Sequence, residues 1–280
     1  TAHPSEVRRK SVIDRIAGVS DLLDACDRGG PACDIEQRNA GLRRQIVILW
    51  ATRLVRQSRL VVQDEINTVV SFLERVFLNV APERLHAWRD LLEAPDLKPF
   101  LKIGSWGGGD RAGNPNVNAE VLSAAFRTQS RAVLAHYMDQ VHALGAELSL
   151  SGALARISPE MKALAEGSGD TSAHRADEPY RKALSHIYAR LSATFPLLTG
   201  APAPRPARFE APPYEGPPGF RADPQVLHAS LTGNHGAVFA DDSLNRLITT
   251  VDVFGFHMAT VDLRQNSDVH ERVVAELLKA

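Results

Sequence analysis

Apolar residues recur three and four apart along almost the whole of this 280-residue chain, which commits it to long amphipathic helices. Val12, Ile13, Ile16, Val19, Leu22 and Leu23 predict a helix over residues 11–26, stopped by Arg28-Gly29-Gly30-Pro31. Residues 35–60 read as one long helix or two abutting ones. A further helix is expected over 64–80, with Phe72, Val76 and Phe77 on one stripe, and Pro82 then starts another through Leu92. Asn118 is an N-cap for a helix running to about Ala146, whose buried stripe includes Val121, Leu122, Ala125, Val133 and Tyr137. Ser158-Pro159-Glu160 opens a short helix by the same chemistry, and 179–198, 223–231, 242–253 and 270–280 complete the set. Trp50, Trp88 and Phe77 fall on helix stripes and are read as core.

Two stretches break the pattern. Residues 104–117 hold a dense run of glycines, with Asp110, Arg111, Asn114 and Asn116 among them, so backbone can approach another segment closely there. Residues 199–224 are rich in Pro, Ala and Gly and read as a surface excursion that sustains no helix. The polar span 167–177 is expected to be a loop. Strands are confined to short pieces at Thr1-Ala2, around Leu101–Ile103 and around Ala259–Leu263. The fold class is therefore mainly α.

Charge narrows the partners. With 32 Lys and Arg against 33 Asp and Glu, the chain carries no excess of positive charge for nucleic acid or an anionic membrane surface. Apolar runs such as Ile46-Val47-Ile48-Leu49-Trp50 are far too short to span a bilayer. Cys26 and Cys33 flank a Gly-Gly-Pro turn, but two cysteines make neither a disulfide framework nor a zinc site, so they are read as free thiols. Thr1 falls inside a motif and the final helix lacks a C-cap, which reads as a piece of a longer polypeptide.

The chemistry-bearing residues stand at the ends and in the glycine run. His3, followed by Arg8 and Arg9, reads either as a hydrogen-bonded residue beside a solvated basic turn or as an anion site able to move a proton. Arg264, two residues after Asp262, reads by itself as half of a structural ion pair. Gly107-x-Gly109-x-x-Ala112 matches a dinucleotide fingerprint literally. Asn114-Pro115 forbids the helix that the fingerprint needs, and no βαβ pattern surrounds it, so nucleotide binding by this loop is rejected. His136 and His142 point to different helix faces and do not share a metal.

Three segments together resemble one family. Ser105-Trp106-Gly107-Gly108-Gly109-Asp110-Arg111-Ala112-Gly113-Asn114-Pro115 is similar to the S-W-x-G-G-D-R-D-G-N-P signature of phosphoenolpyruvate carboxylases. Thr1-Ala2-His3-Pro4-Ser5-Glu6 is similar to the family's T-A-H-P-T-E region. Phe254-Gly255-Phe256-His257 followed by Leu263-Arg264-Gln265-Asn266-Ser267 is similar to F-G-(L)-H…L-D-I-R-Q-E-S.

The resemblance implies a helical elaboration of part of a (β/α)8 barrel. It also implies carboxylation of phosphoenolpyruvate with bicarbonate to oxaloacetate and phosphate, assisted by Mg²⁺ or Mn²⁺, in a cytoplasmic homotetramer. By the same likeness His3 is catalytic and Arg264 binds substrate. Arg8, Arg9 and Arg111 match arginines that hold a sugar-phosphate activator in some members. The family's metal-binding carboxylates follow the R-Q-E-S string, so residues 1–280 would be a partial domain without them, inactive unless the remainder is present. Gly107, Ala112, Asn116 and Asn266 depart from the family pattern, and Arg53 and Leu54 stand where acidic residues are usual. The alternative is a stand-alone helical anion-binding or regulatory module without catalysis.

Overall fold

The computed structural model describes residues 9–27, 35–53, 61–112, 114–234, 238 and 240–279, with Cys26, Asp241 and Asp242 described by backbone alone. His3, Arg8, the Thr1-Ala2 strand, Cys33 and the side chain of Cys26 lie outside the described residues. The chain divides into two compact units, Thr1–Thr68 and Val69–Ala280.

In the first unit α1 (Lys10–Asp27) packs on α2 (Ile35–Ala51), and Arg15 Nη1 donates to Gln45 Oε1 at 3.1 Å across the pair. Arg9 Nη1 donates to the Arg53 carbonyl at 2.8 Å. Helix α2 ends at Ala51, short of the expected Leu60, and residues 54–60 lie outside the described set. It buries no residue, and Trp50, read as core, is 91 % exposed. Amphipathic spacing identifies a stripe without saying what covers it.

Helix α3 (Val62–Phe72) crosses the boundary between the units and runs through a π turn (Leu73–Phe77) into α4 (Leu78–Leu91). Pro82 therefore lies inside a continuous helix and starts none. In the second unit the buried face runs Val70, Leu73, Leu78, Ala81 and Leu85. The extra residue of the π turn widens the Leu73-to-Leu78 step, which keeps both halves facing the core. This shift also leaves Phe72 and Val76 exposed and Phe77 half-buried, against the expected stripe. Trp88 is half in solvent, edge-on to Phe100 at 5.9 Å.

The core of the second unit is the pair α5 (Ala119–Glu147) and α7 (Pro179–Thr199). Asn118 caps α5 by accepting from the Val121 amide at 3.0 Å, as its sequence position predicts. Val133, Leu134, Tyr137, Val141 and Leu144 of α5 are buried, with Leu184, Ile187, Leu191 and Phe195 of α7. Ser158 caps α6 (Pro159–Glu166) through the Met161 amide at 3.2 Å.

The expected polar loop over 167–177 contains a 3-10 turn (Ala173–Arg175) and buries Ser168, Asp170 and Arg175. An ion pair makes that burial tolerable, with Arg175 Nε and Nη2 donating to the two Asp170 oxygens at 2.6 and 2.9 Å. That donation, more than any other influence, holds the Asp170 carboxyl below its ordinary range.

The Pro-rich stretch ends earlier than expected, because α8 (Pro217–Gly233) begins inside it. Pro217 and Pro218 occupy the first helical turn, where the missing amide costs nothing. Just ahead of the helix Tyr214 is buried: Thr194 Oγ1 accepts from its amide at 2.8 Å, and its hydroxyl donates to Asp223 at 2.7 Å. A second π turn (Ala240–Leu244) leads into α9 (Asn245–Phe254), and α10 (Ser267–Leu277) follows, starting before the expected His270.

Among the described residues strands are very short. β1 (Gly104–Ser105) and β2 (Thr260–Val261) form one parallel pair, close to the places expected near 101–103 and within 259–263. No described helix is long and apolar enough to cross a membrane.

Candidate functional site

The site grows from the β1–β2 pair, whose register sets Gly104 against Thr260 and Ser105 against Val261. Thr260 and Asp262 donate their amides to the Ile103 and Ser105 carbonyls at 3.0 and 2.9 Å. Beyond β1 the chain turns at once, with the Gly109 amide reaching back to the Trp106 carbonyl at 2.9 Å and Gly108 at φ 86°. An L side chain rarely adopts that φ. Gly109 is required for a different reason: a Cβ there would sit 2.4 Å from the Asp262 carbonyl oxygen and 2.8 Å from Val261 Cγ1. The glycine run is thus a backbone contact surface for the second strand.

That contact positions Arg264. Its amide donates to the Gly109 carbonyl at 3.0 Å, its carbonyl accepts from the Arg111 amide at 2.9 Å, and Asp110 and Arg264 form a parallel bridge. The Arg264 guanidinium lies 4.6 Å from the centre of the Trp106 ring, with Nη1 3.7 Å from Asp110 Oδ2. Asp110 Oδ1 is already engaged by the Ala112 amide at 3.1 Å, which fixes the carboxylate and turns its other oxygen to the arginine. The ring face attracts the cation and the carboxylate orients it. At 3.7 Å that pairing is longer than a hydrogen bond, and among the described residues no protein acceptor takes an Arg264 side-chain N–H. The arginine is 44 % exposed, so a planar set of donors faces solvent in a fixed direction.

Helix α5 holds the second strand in place from behind. Buried Gln129 accepts with Oε1 from the amides of Met258 and Ala259 at 3.1 and 2.8 Å. Tyr137 donates its hydroxyl to the Gly255 carbonyl at 2.8 Å, where the chain leaves α9 at φ 58°. Burial raises that phenol well above its ordinary pKa, so it stays a donor.

Of the residues singled out in the sequence, Arg264 and Arg111 meet here, joined through backbone. The Arg111 side chain is exposed. Arg9 belongs to the other unit, and His3 and Arg8 lie outside the described residues. The partner of Arg264 is Asp110, not the Asp262 that sequence proximity suggests; in a strand, residues two apart point the same way but reach different loop atoms. Asn266 occupies the N-cap position of α10 without a side-chain cap, so the orientation of Arg264 comes from Trp106 and Asp110. Among the described residues no helix starts in the glycine run. Sequence reasoning passed over Trp106 as a cation platform and Gln129 as an anchor. Gln129 lies midway between the buried Ala125 and Val133 on one helix face, and a polar residue on an apolar stripe is the signal that could have found it.

The helical fold thus presents an aromatic-backed arginine from a glycine-held strand end. The model for the phosphoenolpyruvate carboxylase family matches residues 1–280, and the chain belongs to that family. It is 50 % identical over 285 residues to a phosphoenolpyruvate carboxylase of Rhodopseudomonas palustris (strain BisA53), covering 99 % of this chain and 30 % of that protein. It is 47 % identical to that of Azoarcus sp. (strain BH72) and 45 % identical to that of Bradyrhizobium diazoefficiens, covering 100 % of this chain and 31 % of each relative. The chain thus spans about a third of the length of the curated relatives it matches.

Proposed function

We propose that this chain is the part of a phosphoenolpyruvate carboxylase that supplies Arg264 to the substrate phosphate or carboxylate and His3 to the proton and carboxyl-transfer chemistry. The reaction joins bicarbonate to phosphoenolpyruvate, giving oxaloacetate and inorganic phosphate. The observation that carries this reading is the Arg264 guanidinium, stacked on Trp106 and steered by Asp110 while its N–H donors remain unspent. An arginine held so offers bidentate hydrogen bonds to a substrate oxyanion without reorganising. The short parallel pair would belong to a (β/α)8 barrel, with Arg264 just past the C-terminal end of its strand, where such barrels gather their active sites. Arg111, Arg8 and Arg9 are the candidates for a sugar-phosphate activator.

The enzyme class implies Mg²⁺ or Mn²⁺. Among the described residues no group of three or more His, Cys, Asp and Glu side chains comes together, and Asp110 is committed to Arg264 and its own loop. These residues do not fit a divalent cation, and we assign its ligands to sequence outside this segment. Assembly as a homotetramer in the cytoplasm is part of the same reading. The share of the relatives that the chain spans favours a portion of a longer enzyme over a stand-alone module.

The test is a coupled oxaloacetate assay on the longer polypeptide beside the 280-residue chain. His3→Asn should lower turnover with the fold intact. Arg264→Ala should raise KM for phosphoenolpyruvate and lower kcat, because the charge it meets persists in the transition state. The isolated chain should make no oxaloacetate at any Mg²⁺ concentration. Near-normal kinetics in both variants would refute the assignment.

A further inference from the structure

A second basic site lies away from Arg264, between α5, α7 and the segment that follows α7. A cavity of about 200 Å³ is lined there by Arg175, Arg181, Arg205 and Arg208, and its lining includes His142, Ser185 and Tyr188 but no carboxylate. Its lining also includes the apolar Val141, Leu184 and Phe209. We propose that this cavity binds a small organic anion, a phosphate or carboxylate joined to an apolar body.

Three of the arginines are held by acids that stand outside the lining. Arg175, only 9 % exposed, is locked by Asp170 through Nε and Nη2, which leaves Nη1 without an acceptor among the described residues. Arg181 Nη1 donates to Glu178 at 3.1 Å, and Arg205 pairs with Asp139. Among the described residues Arg208 makes no ion pair or side-chain hydrogen bond, so the four arginines with their paired acids carry one positive charge in excess. The outer wall is fixed too: the Tyr188 hydroxyl donates to the Arg205 carbonyl at 3.2 Å, tying the Pro-rich segment to α7. Such pairs orient guanidinium groups at low entropy cost and leave their outer N–H edges for a ligand.

Gly145 opens the space. It lies near the end of α5, lines the cavity, and a Cβ built on it would meet nothing within 4 Å. Glycine weakens a helix by about 0.5–1 kcal/mol relative to alanine, and here no close backbone approach requires it. The volume fits a single ring: an engineered apolar cavity of about 150 Å³ takes up benzene. A lining that mixes apolar side chains with arginines selects an anion with a hydrophobic body over a bare ion.

The test titrates phenyl phosphate and inorganic phosphate into the 280-residue chain by calorimetry, with far-UV circular dichroism as the fold control. Phenyl phosphate should bind with a Kd on the order of a millimolar or tighter, and inorganic phosphate at least several-fold more weakly. Arg208→Gln should weaken phenyl phosphate about tenfold, the value of one exposed charge-assisted hydrogen bond. Arg272→Gln, an equal charge change on α10 away from the cavity, should leave binding unchanged. Gly145→Leu should abolish binding while the helix content is retained. Equal affinity for the two ligands, equal effects of Arg208→Gln and Arg272→Gln, or undiminished binding by Gly145→Leu would overturn the proposal. None of these readouts depends on oxaloacetate formation, so this inference and the proposed carboxylase reading fail separately.

Discussion

Replacing Gly109 by alanine tests whether the glycine run positions Arg264 by close contact. The added methyl would lie 2.4 Å from the Asp262 carbonyl oxygen and 2.8 Å from Val261 Cγ1, where ordinary contacts are about 3.5–4.0 Å. One obstacle is backbone and cannot rotate away, so loop and strand must separate by roughly an ångström. The bonds from the Arg264 amide to Gly109 and from the Arg111 amide to Arg264 flank the insertion and would stretch together. Overpacking costs about 1–3 kcal/mol and each of the two net hydrogen bonds about 1 kcal/mol, which sums to about 3–5 kcal/mol locally. Amide hydrogen exchange reads this directly, because it reports local opening without requiring the two units to unfold together. The Arg264 and Arg111 amides should exchange at least about 100-fold faster in Gly109→Ala. In Gly233→Ala, where a Cβ meets nothing within 4 Å, both should keep their native rates. Rates within about threefold of the parent in Gly109→Ala would refute the close-contact account.

Gln129→Leu keeps the side-chain bulk but strands the Met258 and Ala259 amides, and at about 1–3 kcal/mol for each buried donor it should cost about 2–6 kcal/mol in urea unfolding. A loss below about 1 kcal/mol would show that those amides find other partners. Stability should also fall on mild acidification. Burial lowers the pKa of both His136 and His186, so each contributes stability that is complete above the unfolded value near 6.5 and is lost as pH falls through 6.5 toward the folded value. The melting temperature should be lower at about pH 5.5 than at about pH 7.5, and the difference should shrink in a His136→Gln, His186→Gln double variant; an unchanged difference would assign the acid sensitivity to other groups.

Helix caps were legible from local chemistry. Asn118 and Ser158 accept the amides that their positions predict, because an N-cap needs only a side-chain oxygen and the next turn of backbone. The site motif was legible too, since Trp106, Asp110 and Arg264 all stand within the strings that mark the family. Local chemistry failed where a distant element decides the outcome. Trp50 has the spacing of a core residue and stands in solvent, while polar Asp170 and Arg175 are buried because each supplies the other's charge. Pro82 has the look of a helix start, yet the π turn before it carries the helix through.

By itself, then, the amino-acid order determined the helical class and the helix caps, which follow from interactions within a few residues. Only the tertiary structure decided the partner of Arg264, the anchoring of β2 by Gln129 and the gathering of four arginines around one cavity. Each of these joins segments far apart in the chain, and such contacts are set by how the helices pack, which no local pattern encodes.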